Sequence, residues 1–66
     1  MGASRYVHLD VERIVKETDA AFLCLIDGEE HWIPRSQVAD DEDYREGDED
    51  VELSVTEWFA DKEGLA

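Results

Sequence analysis

The chain has one cysteine, one proline, two histidines and only six lysines and arginines in 66 residues. Each scarcity excludes something. A lone Cys24 rules out a disulfide framework within the chain and fits a reducing, intracellular setting. One Cys with His8 and His31, far apart in sequence, gives no zinc-ligand spacing. The longest apolar run, Ala20 to Ile26, is seven residues, far short of the ~20 that span a bilayer. No basic start leads into an apolar stretch, so no signal peptide is expected, and the expected location is the cytoplasm. With so few bases, binding to DNA or an anionic membrane through counterion release is excluded as a leading function.

What the chain has is acid: 19 Asp and Glu, for a formal net charge of -13. The excess is concentrated. Residues 40–52 hold nine acids and one arginine, a net of -8, and the remaining 53 residues hold ten acids and five bases, a net of -5. This clustering argues against the uniform acidity of a protein from a salt-loving organism. The natural partners of such a surface are basic proteins or cations.

A chain of this size buries only ~60% of its unfolded surface, so one small domain is expected over residues 6–66, with a loose end at 1–5. Val7, Leu9 and Val11 alternate as in a half-buried strand. Val11, Ile14 and Val15 also fit a helical face, but the β-branched residues and the lack of a helix stop favour strand. The adjacent pair Ile14–Val15 then marks a bulge or a sharp bend. Thr18-Asp19 reads as a turn into "AAFLCLI", expected to be a central strand covered on both faces. Asp27-Gly28 is a type I′ hairpin signal, and "EEHWI" returns as the next strand. Trp32 is expected in the core, which puts His31 on the surface. "PRSQV" reads as one short turn, with 3₁₀ as an option. Val51, Leu53 and Val55 form a last strand. "EWFADKE" follows as a short helix, with Ser54 or Thr56 as N-cap and Gly64 as C′ residue. The fold class is therefore α+β, mainly β: a small bent antiparallel sheet, or an SH3- or OB-like barrel, of about four strands with one C-terminal helix.

At "DGEEHWIPRSQV" and "VTEWFADKEGLA" the chain resembles small acidic proteins of bacterial viruses and prophages. They share a D-G hairpin, a W-x-P-[KR]-S-Q-[VI] element and a closing E-W-[FL]-A-x-[KE]-x-G-L helix. The matched residues are Asp27, Gly28, Trp32, Pro34, Ser36, Gln37, Trp58, Ala60 and Gly64. The likeness implies architecture more than activity. "WIPRSQV" is also similar to the strand–3₁₀–strand ending of SH3 domains. The acidic and aromatic first segment of those domains is absent, so proline-peptide binding is not carried over.

No catalytic constellation is legible. Cys24 lies inside an apolar strand, Ser36 follows a strand-ending proline, and nothing distinguishes one carboxylate pair from another. Nor is any cofactor implied. Placing Gly47 at position 6 of an EF-hand loop puts Tyr44 at position 3 and Leu53 at position 12, so the ligand set fails. The stretch "ADDEDYREGDED", residues 39–50, remains the main candidate site. Its acids Asp40, Asp41, Glu42, Asp43, Glu46, Asp48, Glu49 and Asp50, oriented by Tyr44 and Arg45, read as a partner-binding face. Asp10, Glu12, Glu17 and Asp19, on the first hairpin, read as separate from it. Along a nucleic-acid strand one charge recurs every ~3.4 Å, and an extended chain advances ~3.3 Å per residue. The stretch thus invites nucleic-acid mimicry: a non-enzymatic inhibitor occupying a basic, nucleic-acid-binding surface of another protein. Trp58 and Phe59 form a second candidate contact, as in an accessory subunit of a viral replication or recombination assembly. A plain solvated loop and diffuse cation binding remain open, as does a homo-oligomer.

Overall fold

Asp27 and Gly28 both take positive φ, 51° and 78°, the pair of left-handed residues that a type I′ turn requires. They join two antiparallel strands, with Ile26 opposite Glu29 and Phe22 opposite Ile33. The computed structural model describes residues 5–65. Of the loose end expected at 1–5, all but Arg5 lies outside the described residues; the Arg5 carbonyl accepts the Glu57 N–H at 2.8 Å.

Four strands, β1 (Tyr6–Glu17), β2 (Ala21–Ile26), β3 (Glu29–Pro34) and β4 (Glu49–Thr56), form one antiparallel sheet in the order β3-β2-β1-β4. A helix, α1 (Glu57–Glu63), follows directly. The chain turns from β1 to β2 at Thr18, whose Oγ1 accepts the Ala21 N–H at 3.0 Å while its own N–H donates to the Ala21 carbonyl at 2.9 Å. After β3 a 3₁₀ turn, Arg35–Gln37, carries the chain across to the opposite sheet edge. There Val38 bridges Val55, and the Ala39 N–H donates to the Ser54 carbonyl at 2.9 Å. The bridge joins the continuation of one edge strand to the other edge strand, so the bent sheet is partly closed on itself.

Two irregularities bend β1. Pairing with β2 shifts between Ile14 and Lys16, leaving Val15 as the bulge residue expected from the Ile14–Val15 pair. Earlier in the strand, Glu12 and Arg13 are both exposed between buried Val11 and Ile14. Across from that point Asp50 is left-handed (φ 53°) inside β4. A left-handed residue in one strand resets the alternation and sharpens the local twist, and Asp is among the few residues that adopt it readily.

The inner face supplies the core. Leu9, Val11 and Ile14 come from β1, Phe22, Cys24 and Ile26 from β2, Ile33 from β3, and Leu53 and Val55 from β4. Val38, Phe59 and Ala60 close over it. Thr56 is the N-cap that α1 uses, its Oγ1 accepting the Phe59 N–H at 3.2 Å. Gly64 ends the helix at φ 70°, and the Leu65 N–H returns to the Ala60 carbonyl at 2.8 Å, as in a Schellman closure.

Two sequence expectations fail here. Trp32 is not core but 52% exposed, and its neighbour Ile33 is fully buried. Adjacent strand residues face opposite sides, and the register opposite buried Phe22 gives the inside to the smaller β-branched residue. His31, on the inner side, is correspondingly half-buried rather than free on the surface. β2 is also not covered on both faces. Leu23 and Leu25 are only half-buried on an outer face that no helix or loop covers among the described residues. None of the described helices is long and apolar enough to cross a membrane.

Candidate functional site

The acidic stretch is an anchored loop, not an extended run. A 3₁₀ turn occupies Asp41–Asp43, preceded by Asp40 in the left-handed region (φ 53°). Tyr44 is the anchor. Its ring meets Phe22 edge-on, with centroids 6.3 Å apart at 80°, and its hydroxyl donates to the Glu52 carbonyl at 2.9 Å. Partial burial raises the Tyr44 phenol above its ordinary pKa. Tyr44 therefore holds the loop along the edge of β4.

Arg35 secures the loop from another direction. Its Nε donates to Asp41 Oδ2 at 3.0 Å, and its Nη1 donates to Glu17 Oε2 at 3.2 Å and to the Thr18 carbonyl at 2.9 Å. Its guanidinium carbon lies 4.5 Å from the Phe22 ring centroid, within cation–π range. Glu17 and Glu46 exchange two bonds at 3.1 Å, each carboxylate accepting the other's backbone N–H. The Glu46 N–H first, and then Arg35, hold the Glu17 carboxyl below its ordinary pKa. Gly47 donates its N–H to the Ile14 carbonyl and Ile14 donates back to the Asp48 carbonyl, both at 2.8 Å.

Arg45 neutralises none of the loop's acids among the described residues. Its Nη1 donates to the Glu42 and Tyr44 carbonyls at 2.6 and 2.9 Å, and its backbone N–H donates to Asp48 Oδ2 at 2.9 Å. Asp48 is thus a loop brace, and Asp41 belongs to Arg35. Glu49 sits 3.8 Å from exposed Arg13, a separation at which a surface pair contributes little. Asp40, Glu42 and Asp43 stand exposed with no ion-pair partner among the described residues.

The sheet adds acids that the sequence reading kept apart. Asp10 pairs directly with Glu52 across β1 and β4. With Glu12 and Asp50 they line one depression of about 220 Å³ on the outer face. Like charges directly opposite each other on a sheet are destabilising, so these carboxylates oppose folding. The separation of Asp10, Glu12 and Glu17 from the acidic stretch is therefore corrected: the first two stand beside Asp50 and Glu52, and Glu17 is bonded to Glu46. Only β1–β4 pairing brings these groups together, and a meander read along the chain does not reveal it.

The second expected contact divides. Trp58 is 63% exposed, with the Lys62 ammonium 5.0 Å from its ring centroid. Phe59 is 5% exposed and belongs to the core: adjacent helical residues lie about 100° apart, and the arc that faces the sheet is taken by Phe59 and Ala60, which leaves Trp58 outside. Phe59 is removed as a contact.

One arrangement brings a hydroxyl, an imidazole and a carboxylate together. Ser54 Oγ lies 3.0 Å from His8 Nδ1, and Glu52 Oε1 lies 3.7 Å from the same nitrogen. A relay needs the hydroxyl on one ring nitrogen and the carboxylate on the other. Sharing Nδ1, the three make a surface polar cluster. Comparison with family models, with curated proteins and with solved structures finds no match for this chain.

Proposed function

We propose that the protein is a non-enzymatic acidic binding protein that occupies a basic, nucleic-acid-binding surface on a partner. The observation that carries this reading is the carboxylate grid on β1 and β4: Asp10 and Glu12 beside Glu52 and Asp50 around one depression. On regular paired strands two same-face carboxylates recur every ~6.8 Å, an average of one charge per ~3.4 Å and the linear density of one nucleic-acid strand; the four carboxylates here make two such steps, with the left-handed Asp50 bending the second. The extended loop pictured from the sequence does not supply that spacing, because residues 40–43 are turned. The loop instead borders the grid along the β4 edge with Asp40, Glu42 and Asp43 exposed. Like-charge pairing retained at a cost to stability fits a surface shaped for a cationic partner.

The resemblance to phage and prophage proteins supports a bacterial partner acting in defence or nucleic-acid processing, with this protein as its cytoplasmic inhibitor. The test is recovery of partners on the tagged protein from nuclease-treated host lysate at low and high salt. A nucleic-acid-binding protein retained at low salt, released at high salt and displaced by added DNA or RNA supports the reading. Capture insensitive to both salt and nucleic acid overturns it. That second outcome favours docking through exposed Trp58, as an accessory subunit would dock.

A further inference from the structure

The outer face of the sheet has a second half, unlike the acidic one. Directly paired residues share a face, and two rungs across β3, β2 and β1 read Trp32–Leu23–Lys16 and Glu30–Leu25–Arg13. Leu23 and Leu25 run up the middle half-buried, Trp32 is 52% exposed beside them, and no described element covers them. Apolar residues hold the centre, the two bases lie on the β1 side, and an acid and an aromatic ring lie on the β3 side. In a chain with six bases in all, two of them flank this strip. Lys16 has no ion-pair partner among the described residues, and Arg13 reaches only Glu49 at 3.8 Å.

We propose that this strip is a self-complementary face that binds a second copy of the chain, sheet against sheet, about a two-fold axis parallel to the strands. Such an axis preserves the rungs and exchanges the β3 side for the β1 side. Leu23 and Leu25 then meet their own counterparts. Trp32 lies over the second copy's Lys16, a cation–π pairing, and Glu30 meets the second copy's Arg13. The Trp32–Lys16 and Glu30–Arg13 contacts each occur twice and the leucine self-contacts lie on the axis, as an isologous interface requires, and two twisted sheets stack this way at about -30°. Charge complementarity selects this occupant: the same two rungs rotated about an axis across the strands would set Trp32 against Glu30 and Lys16 against Arg13. Six side chains fall short of the ~800 Å² per partner of a standard stable interface, so the dimer is weak and forms at high concentration. The net charge of -13 on each copy opposes it, so salt strengthens it by screening.

That salt dependence is opposite in sign to the one expected for a basic partner on the acidic face, so the two readings stand or fall separately. The experiment is sedimentation velocity from ~10 μM to ~1 mM protein at ~0.05 and ~1 M NaCl. Expected is a monomer–dimer equilibrium that shifts toward dimer with both concentration and salt. Leu23→Arg abolishes it. Glu30→Arg and Arg13→Glu each weaken it by about tenfold or more, since each places two like-charge pairs in the interface. The double variant R13E/E30R restores association to within about threefold, because the exchanged charges again meet across the axis. All these substitutions are on the outer face, and wild-type-like thermal melts certify that the variants fold. A monomer at every concentration and salt overturns the proposal. So does a dimer that survives Leu23→Arg, or a double variant no better than either single one.

Discussion

Asp10 and Glu52 stand directly opposite each other on β1 and β4, two carboxylates on one rung of the sheet. A sequence selected for stability alone would pair an acid with a base there. Asp10→Lys supplies that base, and Asp10→Asn removes the repulsion without adding attraction. Both variants are expected to be more stable than the wild type, by ~0.2–1 kcal/mol, with the Lys variant ahead, as measured by urea midpoints at unchanged m-value. A variant less stable than the wild type would show that the pair is compensated and that the acids carry no cost to folding.

The core prediction concerns two neighbours. Ile33 is fully buried and Trp32 is half in solvent. Ile33→Ala is expected to cost ~2–5 kcal/mol, about half or more of the ~3–10 kcal/mol that a domain of this size commands. Trp32→Ala, leaving no sealed cavity, is expected to keep a cooperative melt near the wild-type midpoint. Thermal melts of the two variants side by side decide it. The reverse order would place Trp32 inside.

Legibility in the sequence followed the range of the interactions. The Asp27-Gly28 turn, the Val15 bulge, the Gly64 helix end and the 3₁₀ turn at Arg35–Gln37 are each written in a few adjacent residues, whereas the sequence narrows the N-cap only to Ser54 or Thr56, of which the helix uses Thr56. Strand facing was harder. "HWI" offers Trp32 and Ile33 to one inner position, and size alone favours the wrong one; only pairing with Phe22 decides. The acidic site was half legible. The run at 39–50 is conspicuous, yet its ordering depends on Arg35, Phe22 and Glu17, and the grid depends on β1 meeting β4 across more than thirty intervening residues. Those are tertiary facts with no local signal.

Cys24 is fully buried, and burial pushes its thiol up to about 11. The thiolate is the reactive form, so the folded protein should resist an aromatic disulfide reagent at pH 8. Modification is expected to track global unfolding, slow in buffer and immediate in denaturant. Fast labelling of the folded chain would mean that β2 opens locally.

Glu17 gives a pH signature. Its carboxyl is held below the ordinary value by the Glu46 N–H and by Arg35. A carboxyl with a depressed folded-state pKa stabilises the fold above its unfolded value, and the contribution is lost as pH falls through the folded value. Glu17→Gln should therefore lower the melting midpoint at pH 7, with the difference from wild type shrinking below about pH 4. Taking the difference cancels the repulsion common to both chains. A gap that stays constant from pH 7 to pH 3 would mean that the charge of Glu17 is irrelevant and only its hydrogen bonds matter.

The decisive prediction separates the acidic grid from bulk charge. Asp10→Asn, Glu12→Gln, Asp50→Asn and Glu52→Gln together remove four charges from the depression. The fold tolerates them. Asn accepts the left-handed backbone of Asp50. Glu12→Gln keeps a side-chain oxygen for the Gly28 N–H, which Glu12 accepts at 3.1 Å. The control must lie elsewhere, and Asp10, Glu12 and Glu17 are disqualified by their contacts with the site. Asp19, Asp27, Glu29 and Glu63, all exposed and away from the β1–β4 depression, remove the same four charges. A third set, Asp40, Glu42 and Asp43, tests the bordering loop while sparing Asp41 and its bond to Arg35. Mimicry requires association with the basic partner to slow and weaken most for the grid set, next for the loop set and least for the control, since steering follows the local field. The differences should fade as salt shortens the screening length from ~10 Å at 0.1 M toward ~3 Å at 1 M. Equal losses in all three sets would reduce the site to bulk charge. No loss in any set would move the interface to Trp58.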